Sequence, residues 1–241
     1  MTRAPAPAKI NLALLVGPRR ADGKHDVTTI YQRVDLFDRI EIEPAPRLRV
    51  VGFRGDTLVA RSLAALAEAA GVVPRWQATI RKRIPVASGL GGGSSDAATA
   101  LRLANSTLDA PLSPERLHEL ARRLGADVPF FLSVGPQLGE GDGSELRPLD
   151  LPQDYWIVLV LPRHQRKAST GDVYRAFDER RGSDGYAERR AALLAALDEL
   201  RRPRDLARLP HDASRTPEKD LSFSSCLQGT RGRPKIGRAH V

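Results

Sequence analysis

The chain has 241 residues, of which 41% are hydrophobic and 28% are charged, and its formal net charge is +9. These values are typical of a soluble globular protein with one large or two small domains, and they exclude fibrous and low-complexity classes. No apolar run approaches the length of a membrane-spanning helix and no signal peptide is recognisable, so we expect no membrane association. The single cysteine, Cys226, excludes an internal disulfide and favours a cytoplasmic location.

Part of the positive charge is concentrated near the C-terminus. Residues 213–241 contain six Lys or Arg and two acidic residues, so they carry four of the nine net charges. Aromatic residues make up only 5% of the chain and are scattered, which leaves no stacking platform for bases. We therefore expect no nucleic-acid partner, whereas the remaining charge would suit a polyphosphate substrate.

The first third of the chain predicts strands followed by a helix. Residues 9–16 predict a first strand, residues 34–43 a second strand with good alternation, and residues 47–53 a third. Residues 56–70 have the apolar spacing of an amphipathic helix, and Gly71 ends it.

The rest of the chain mixes the two kinds of element. Residues 76–84 predict a strand, and Ser113 with Pro114 predicts the start of a helix that ends at Gly125. Residues 155–161 predict a buried strand that opens a second subdomain, and residues 186–202 predict a further helix. This order of elements, without repeats, predicts the α+β class.

A glycine-rich segment, PVASGLGGGSSDAATAL at residues 85–101, joins the fourth predicted strand to a helix. Ser95 or Asp96 would cap that helix. The first N–H groups of a helix lack internal acceptors and lie at the positive end of its dipole. Glycine also lets the backbone approach an anion closely. The segment therefore predicts a phosphate cradle rather than a flexible linker.

Three other interpretations of the glycine segment differ in how well they fit the sequence. A Walker-type loop requires Gly-Lys-Ser/Thr, whereas Gly93 is followed by Ser94, so that interpretation fails. A dinucleotide-binding fingerprint requires Ser94 in place of its third glycine and a βαβ continuation that the sequence lacks. This fingerprint and a purely structural turn stay open as alternatives.

Three segments appear in a characteristic order: PAKINLALLVGPRRADGKHD, the glycine-rich segment and LGADVPFFL. Together they resemble the GHMP kinase superfamily, and more narrowly its kinases of 4-diphosphocytidyl-2-C-methyl-D-erythritol in the non-mevalonate isoprenoid pathway. The resemblance covers roughly residues 5–212. It implies transfer of the ATP γ-phosphoryl group to the substrate 2-hydroxyl, with Mg²⁺ arriving on the nucleotide and no protein-held metal. It also implies a small-molecule substrate, and we expect a monomer or a weak homodimer.

The same resemblance implies a two-lobed fold. We assign residues 1–150 to an N-terminal α/β ATP-binding lobe and residues 151–212 to an incomplete C-terminal ferredoxin-like lobe. No third glycine-rich motif of the family follows Leu161, and the composition changes after residue 212. We therefore expect residues 213–241 to be a non-native or disordered tail and the C-terminal lobe to be truncated.

The resemblance also assigns roles to residues. Asp127 in GADVP would be the general base, and Lys9 its cationic partner, which keeps the carboxylate ionised. Without the family, Asp127 would be interpreted as a turn residue and Lys9 as a solvated edge charge. The implied ATP contacts are Lys82, Pro85, Ala87, Ser88, Gly89, Leu90, Gly91, Gly92, Gly93, Ser94 and Ser95.

At the substrate end, Asn11 shares a strand face with Lys9 and would contact the acceptor group. His25 would bind the cytosine edge, and Tyr174, with Thr170 nearby, would cover one face of the base. Lys24 stands where the family carries a stacking Tyr, so it would instead contact a diphosphate oxygen or weaken cytidine binding. Other GHMP kinases, acting on mevalonate or homoserine, and a catalytically dead nucleotide- or nucleic-acid-binding protein stay open as alternatives.

Overall fold

The computed structural model describes residues 1–55, 57–160, 170–210, 212 and 237–238, with the backbone alone at residues 170, 237 and 238. Strands and helices are mixed along the chain, which confirms the predicted α+β class. The strands are β1 Thr2–Arg19, β2 His25–Pro44, β3 Arg49–Val51, β4 Trp76–Arg81, β5 Gln137–Glu140, β6 Glu145–Pro148, β7 Trp156–Ile157 and β8 Gly237–Arg238. The helices are α1 Leu58–Ala70, α2 Gly92–Asn105, α3 Pro114–Leu124, α4 Thr170–Glu179 and α5 Tyr186–Glu199, with 3₁₀ helices at Pro129–Leu132 and Pro203–Arg208.

The packing divides the chain into two compact units. The first unit comprises Met1–Ile10 and Val34–Val134, and the second comprises Asn11–Arg33 and Gly135–Val241. Strands β1 and β2 are long and pair with each other. Each of them has one segment in the first unit and another in the second. The predicted lobe boundaries at residues 150 and 212 stay predictions.

In the first unit, three strands carry the helices. β3 pairs parallel with β4, and β4 pairs antiparallel with the second half of β2. Inward side chains of β2 and β4 form one apolar cluster with α1, α2 and α3, because burial of these faces removes apolar surface from water. Helix α2 contributes mainly Ala97, Ala100 and Ala104, and these small side chains allow close packing.

The ends of α1 and α3 follow from local sequence, as predicted. Gly71 ends α1 in the left-handed conformation, with φ of 66°, and its N–H bonds back to the last turn. Ser113 accepts a hydrogen bond from the N–H of Arg116 at the start of α3, and Pro114 occupies the first helical position.

The start of α2 differs from the sequence prediction. The helix begins at Gly92 with Gly91 as its N-cap, so Ser95 and Asp96 lie inside the helix and the predicted capping role was wrong. Gly91 has φ of 70°, a conformation that glycine adopts without steric cost, and the turn into the helix therefore occurs four residues early.

In the second unit, the first half of β2 pairs antiparallel with β5, and β5 pairs antiparallel with β6. The sequence analysis did not predict the β5–β6 hairpin, because its strands have only four residues each. Two glycines with positive φ, Gly141 and Gly143, make the turn between them.

The predicted strand over residues 155–161 is much shorter in the structure. Only Trp156 and Ile157 form β7, and Trp156 is 53% exposed, so the prediction of a long buried strand was wrong. β7 pairs antiparallel with Gly237 and Arg238. Apart from these two residues, the predicted tail at 213–241 lies outside the described residues, as does Leu161.

Helix α5 ends at Glu199, three residues before the predicted end. Its Arg189 lies 3.4 Å from Asp212, whose carboxylate also accepts a hydrogen bond from the backbone N–H of Val16 at 2.8 Å. Asp212 is buried, so these bonds tie it to β1 and α5. No helix in the described part of the chain combines the length and apolar composition that a membrane crossing requires.

Candidate active site

The glycine loop between β4 and α2 has an unusual backbone. Ala87, Gly89 and Gly91 have φ values of 57°, 81° and 70°, in the left-handed region. A positive φ is uncommon for alanine and indicates local strain held by the surroundings. The Ser88 hydroxyl donates a 2.7 Å hydrogen bond to the Pro85 carbonyl and closes the first turn of the loop.

Gly91 leaves no room for a side chain. A Cβ atom there would lie 2.9 Å from Lys9 Cγ and 3.0 Å from Phe131 Cζ, closer than real contacts allow. At Gly93, by contrast, a Cβ would meet nothing within 4 Å. The loop is therefore packed against β1 and the 3₁₀ helix at Gly91 and open at Gly93.

The open side coincides with the N-terminus of α2. The N–H groups of Gly92, Gly93 and Ser94 have no acceptor within the helix, and the helix dipole adds partial positive charge there. Ser95 Oγ is fully buried and has no hydrogen-bond partner among the described residues. A buried hydroxyl is normally satisfied, so this atom favours a ligand oxygen at the loop.

Lys9 and Asp127 form an ion pair beside the loop. Lys9 Nζ lies 3.3 Å from Asp127 Oδ2, and the side chains are 8% and 32% exposed, respectively. The Lys9 backbone N–H donates a 2.9 Å bond to the Leu90 carbonyl, which fixes β1 to the loop. The Asp127 carboxylate is partly exposed beside the loop, so it is placed where a general base could reach a substrate hydroxyl.

Lys82 lies behind the loop and pairs with two aspartates. Its Nζ donates to Asp38 and, at 2.8 Å, to Asp96, and both carboxylates are fully buried. Burial raises the pKa of Asp96 to about 7, although Lys82 opposes the shift. Burial also opposes the charge on Lys82, but the hydrogen bonds that its ammonium donates to Asp38 and Asp96 outweigh this effect and raise the lysine pKa. We call Asp38, Lys82 and Asp96 the Lys82 cluster.

A second group of predicted residues lies in the second unit. His25, at the start of β2, is buried, and its Nε2 is 2.8 Å from Asp178 Oδ1. The Tyr174 ring stacks on the imidazole with centroids 4.7 Å apart and an interplanar angle of 11°. Tyr174 and Asp178 are four residues apart on α4, so one face of the helix presents both to His25. We call His25, Tyr174 and Asp178 the His25 cluster.

The other predicted substrate residues have separate environments in the same unit. Lys24 Nζ pairs with Asp142, and Asn11 Nδ2 donates a 2.6 Å bond to Thr29 Oγ1. Burial alone would raise the pKa of Asp142, but the hydrogen bonds from Lys24 and Ser144 lower it overall. Thr170 is the first residue of α4, and its side chain lies outside the described residues.

The sequence analysis missed several polar residues of these clusters. Asp38 lies in the predicted strand over residues 34–43 and was counted only as part of its alternating pattern, and Asp96 was interpreted only as a helix cap. Asp178 could have been found from its i+4 spacing to Tyr174. Among the described residues, no group of three or more His, Cys, Asp or Glu is arranged to hold a metal ion.

The chain resembles known proteins over much of its length. Residues 57–135 match the model of the GHMP kinases N terminal domain. Proteins named 4-diphosphocytidyl-2-C-methyl-D-erythritol kinase from Geobacter sulfurreducens and Persephonella marina are 46% and 40% identical over 65% and 70% of this chain. The matches span 59% and 63% of those relatives, so the chain spans about three fifths of the length of the curated relatives it matches.

Solved structures agree with this resemblance. A crystal structure of 4-(cytidine 5′-diphospho)-2C-methyl-D-erythritol kinase superposes with a TM-score of 0.65 at 40% identity, over 73% of this chain and 64% of that one. The mevalonate kinase of Methanococcus jannaschii gives 0.63 at 13% identity, over 85% and 74% of the two chains, and so shares the fold alone. The matched domain, these relatives and the glycine loop at a helix N-terminus agree with one another: residues 57–135 are similar to the N-terminal domain of GHMP kinases.

Proposed function

We propose that the protein is an ATP-dependent small-molecule kinase that phosphorylates the 2-hydroxyl of 4-diphosphocytidyl-2-C-methyl-D-erythritol. The observation that carries this proposal is the Lys9–Asp127 ion pair, packed against Gly91 at the N-terminus of α2. A proton acceptor and a backbone anion site then lie side by side, which is the arrangement that phosphoryl transfer to an alcohol requires.

The reaction assigns one task to each part of this arrangement. The N–H groups from Gly92 to Ser94, with the Ser95 hydroxyl, bind phosphate oxygens of Mg-ATP, the nucleotide substrate. Asp127 accepts the proton of the substrate hydroxyl as that oxygen attacks the γ-phosphorus and ADP leaves. Lys9 pairs with Asp127 and stabilises the negative charge that develops on the attacking oxygen. The remaining ATP contacts are assigned to Lys82, Pro85, Ala87, Ser88, Gly89, Leu90 and Gly91.

The substrate assignment rests on the likeness to kinases of that name and on the His25 cluster. Nε2 of His25 is held by Asp178, so Nδ1 is the ring nitrogen that would contact the edge of the cytosine. Tyr174 supplies an aromatic surface beside it. Asn11 contacts the acceptor group, while Lys24 and Thr170 complete the substrate contacts.

The organisation of the protein belongs to the same proposal. An N-terminal ATP-binding lobe over residues 1–150 and a partial C-terminal lobe over residues 151–212 serve a monomer or weak homodimer. The enzyme acts in the cytoplasm on a small molecule, without nucleic-acid or membrane partners.

A coupled assay of ADP release tests the proposal, with the cytidylated methylerythritol and Mg-ATP as substrates. We expect turnover by the chain and a 10²- to 10⁴-fold lower kcat for Asp127→Asn, as for removal of a general base. Asp154→Asn, which removes an exposed carboxylate, is the matched control and keeps kcat. Equal kcat for the chain and Asp127→Asn would contradict the general-base role.

The same assay distinguishes the alternatives. Turnover of mevalonate or homoserine in place of the cytidylated substrate would identify a different GHMP kinase. Binding of Mg-ADP without turnover of any of the three would identify a nucleotide-binding protein without kinase activity. Absence of nucleotide binding would overturn the proposed function altogether.

A further inference from the structure

The Lys82 cluster joins three separate pieces of the first unit behind the glycine loop. Asp38 comes from β2, Lys82 from the segment after β4 and Asp96 from the second turn of α2. Asp38 also accepts hydrogen bonds from the backbone N–H groups of Arg83 and, at 2.8 Å, Ile84. The cluster therefore ties the strand end, the beginning of the loop and the helix to one another.

This cluster also touches the loop at its anion-binding end. A Cβ built on Gly92, the first residue of α2, would lie 3.1 Å from Lys82 Nζ and 3.1 Å from Ile84 Cγ2. The ammonium group thus lies close to the first backbone N–H groups of α2, which have no acceptor within the helix. A change in the position or charge of the cluster therefore changes the electrostatic potential at this backbone.

The charges within the cluster do not balance. Two fully buried carboxylates share one ammonium, so the cluster has a net charge of −1 when both are ionised and zero when one is protonated. Asp38 receives three hydrogen bonds, whereas Asp96 Oδ1 has no partner among the described residues. The proton is therefore expected on Asp96, in line with its pKa of about 7.

Few other charges act on Asp96. Those that influence its carboxyl group among the described residues are Lys82, from the segment after β4, and Asp38, from β2. The apolar cluster that includes residues of α2 also contains Leu63 and Leu66 of α1, and Leu132 of the 3₁₀ helix packs against it; all three are neutral. Near neutral pH, the net charge of the Lys82 cluster therefore depends mainly on whether Asp96 is ionised.

We propose that Asp96 is a positioning residue for the phosphate loop: with Asp38 it holds the Lys82 ammonium against Gly92, and its ionisation weakens polyphosphate binding at the loop. The inference rests on the proposed kinase function, because it needs a nucleotide at the loop. It requires no change in the catalytic pair Lys9–Asp127. By linkage, nucleotide binding then favours the protonated form of Asp96.

The test compares the chain with Asp96→Asn, which keeps the size of the side chain and an oxygen acceptor for Lys82 but cannot ionise. The dissociation constant of Mg-ADP is measured by calorimetry for both proteins between pH 6 and pH 8.5. Titration of the nucleotide itself is common to both proteins and cancels in the ratio. The ratio is the dissociation constant of the unsubstituted chain divided by that of Asp96→Asn. We expect it to be near one at pH 6 and about five at pH 8.5, as for one added charge within about 10 Å.

Two further variants separate charge from structure. Asp109→Asn removes an exposed carboxylate just beyond the other end of α2 and should keep the ratio at one throughout. Asp96→Ala also removes the acceptor for Lys82, so binding should weaken about tenfold at pH 6, where Asp96→Asn binds normally. Circular dichroism and thermal melts verify that each variant is folded before its binding is measured.

The outcomes are distinct. The proposal is supported if the ratio of dissociation constants rises with pH for Asp96→Asn but not for Asp109→Asn, and if Asp96→Asn binds Mg-ADP normally at pH 6 whereas Asp96→Ala binds it more weakly. A ratio that stays within twofold across the pH range overturns it while leaving the kinase function intact, because the chain still binds nucleotide. Failure of the unsubstituted chain to bind Mg-ADP would overturn the proposed function, and this inference with it.

Discussion

The phosphate loop and the His25 cluster are built in different ways. The loop is held by backbone geometry: a left-handed Gly91, a backbone bond from Lys9 to Leu90 and the start of a helix. The His25 cluster is held by side chains alone, and His25 and Asp178 are 153 residues apart in sequence. Asp178 is 44% exposed, whereas the carboxylates behind the loop are fully buried.

Because the two regions are built differently, different substitutions should damage them. At Gly91 of the loop, one added methyl group would displace backbone and so affect several ligand contacts at once. In the His25 cluster, removal of one side chain leaves the backbone in place and affects only the contacts of that side chain. Large effects on nucleotide binding and smaller, substrate-specific effects are therefore expected from the two regions.

The largest effect is expected for Gly91→Ala. Alanine at position 91 would have to adopt an unfavourable φ of 70°, and its Cβ would lie 2.9 Å from Lys9 Cγ. The loop and the Lys9–Asp127 pair must therefore both move. We expect about 10²-fold weaker Mg-ADP binding by calorimetry and about 1–3 kcal/mol lower unfolding free energy. Gly93→Ala adds the same methyl group where nothing lies within 4 Å, and should retain stability. Equal losses in both variants would show that the packing at Gly91 is unimportant.

The sequence predicted the loop well because its determinants are local. Four glycines before a helical pattern specify a turn and a close approach of the backbone whatever the rest of the chain does, whereas the anion site stays a prediction. The helix start was misplaced because serine and aspartate are good caps, whereas the positive φ of Gly91 makes the turn earlier. No local pattern could reveal that Asp38 and Asp96 share one lysine, since that depends on how β2 and α2 pack.

The His25 cluster was predictable only in part, and for a related reason. His25 and Tyr174 were found through a family resemblance, not through any local rule. The helix that carries Tyr174 was not predicted, and neither was the hairpin that supplies Asp142 to Lys24. Such contacts join residues far apart in sequence, and their geometry is fixed only once the tertiary fold has formed.

The next prediction concerns the pH dependence of stability. The folded-state pKa of Asp96, about 7, lies above its ordinary unfolded value of about 3.9, so the folded chain holds this proton more tightly. Stability from this group is therefore greatest at low pH and is lost as pH rises towards 7. Asp96→Asn lacks this titration, so its unfolding free energy should gain about 2–3 kcal/mol relative to the unsubstituted chain between pH 5 and pH 8.

Urea denaturation at fixed pH values measures this difference. Asp109→Asn is again the control, since an exposed carboxylate should give no pH-dependent difference. A difference between Asp96→Asn and the unsubstituted chain that is constant from pH 5 to pH 8 would show that Asp96 does not change its ionisation in this range. Unlike the nucleotide titration, this measurement involves no ligand.

A smaller and more selective effect is expected for Tyr174→Ala. Loss of the stacked ring should cost about 1–2 kcal/mol of binding to an aromatic base, about tenfold in KM for the cytidylated substrate. The KM for ATP should stay within twofold, because the variant leaves the loop untouched. Arg175→Ala, at the next and exposed position of α4, is the control. A larger rise in the KM for ATP than in that for the cytidylated substrate would contradict the assignment of this cluster to the base.

The smallest effect is expected for Lys24→Ala. Lys24 is 54% exposed and pairs with Asp142, and exposed pairs of this kind contribute about 0–1 kcal/mol because water screens them. If Lys24 only binds Asp142, Lys24→Ala and Asp142→Asn should both lower stability slightly, and both should change the KM for the cytidylated substrate less than threefold. If Lys24 instead binds the diphosphate, only Lys24→Ala should raise that KM, and higher salt should reduce the difference. Steady-state kinetics of the two variants at two salt concentrations therefore decides whether the lysine that replaces the family's aromatic residue has taken over part of substrate binding.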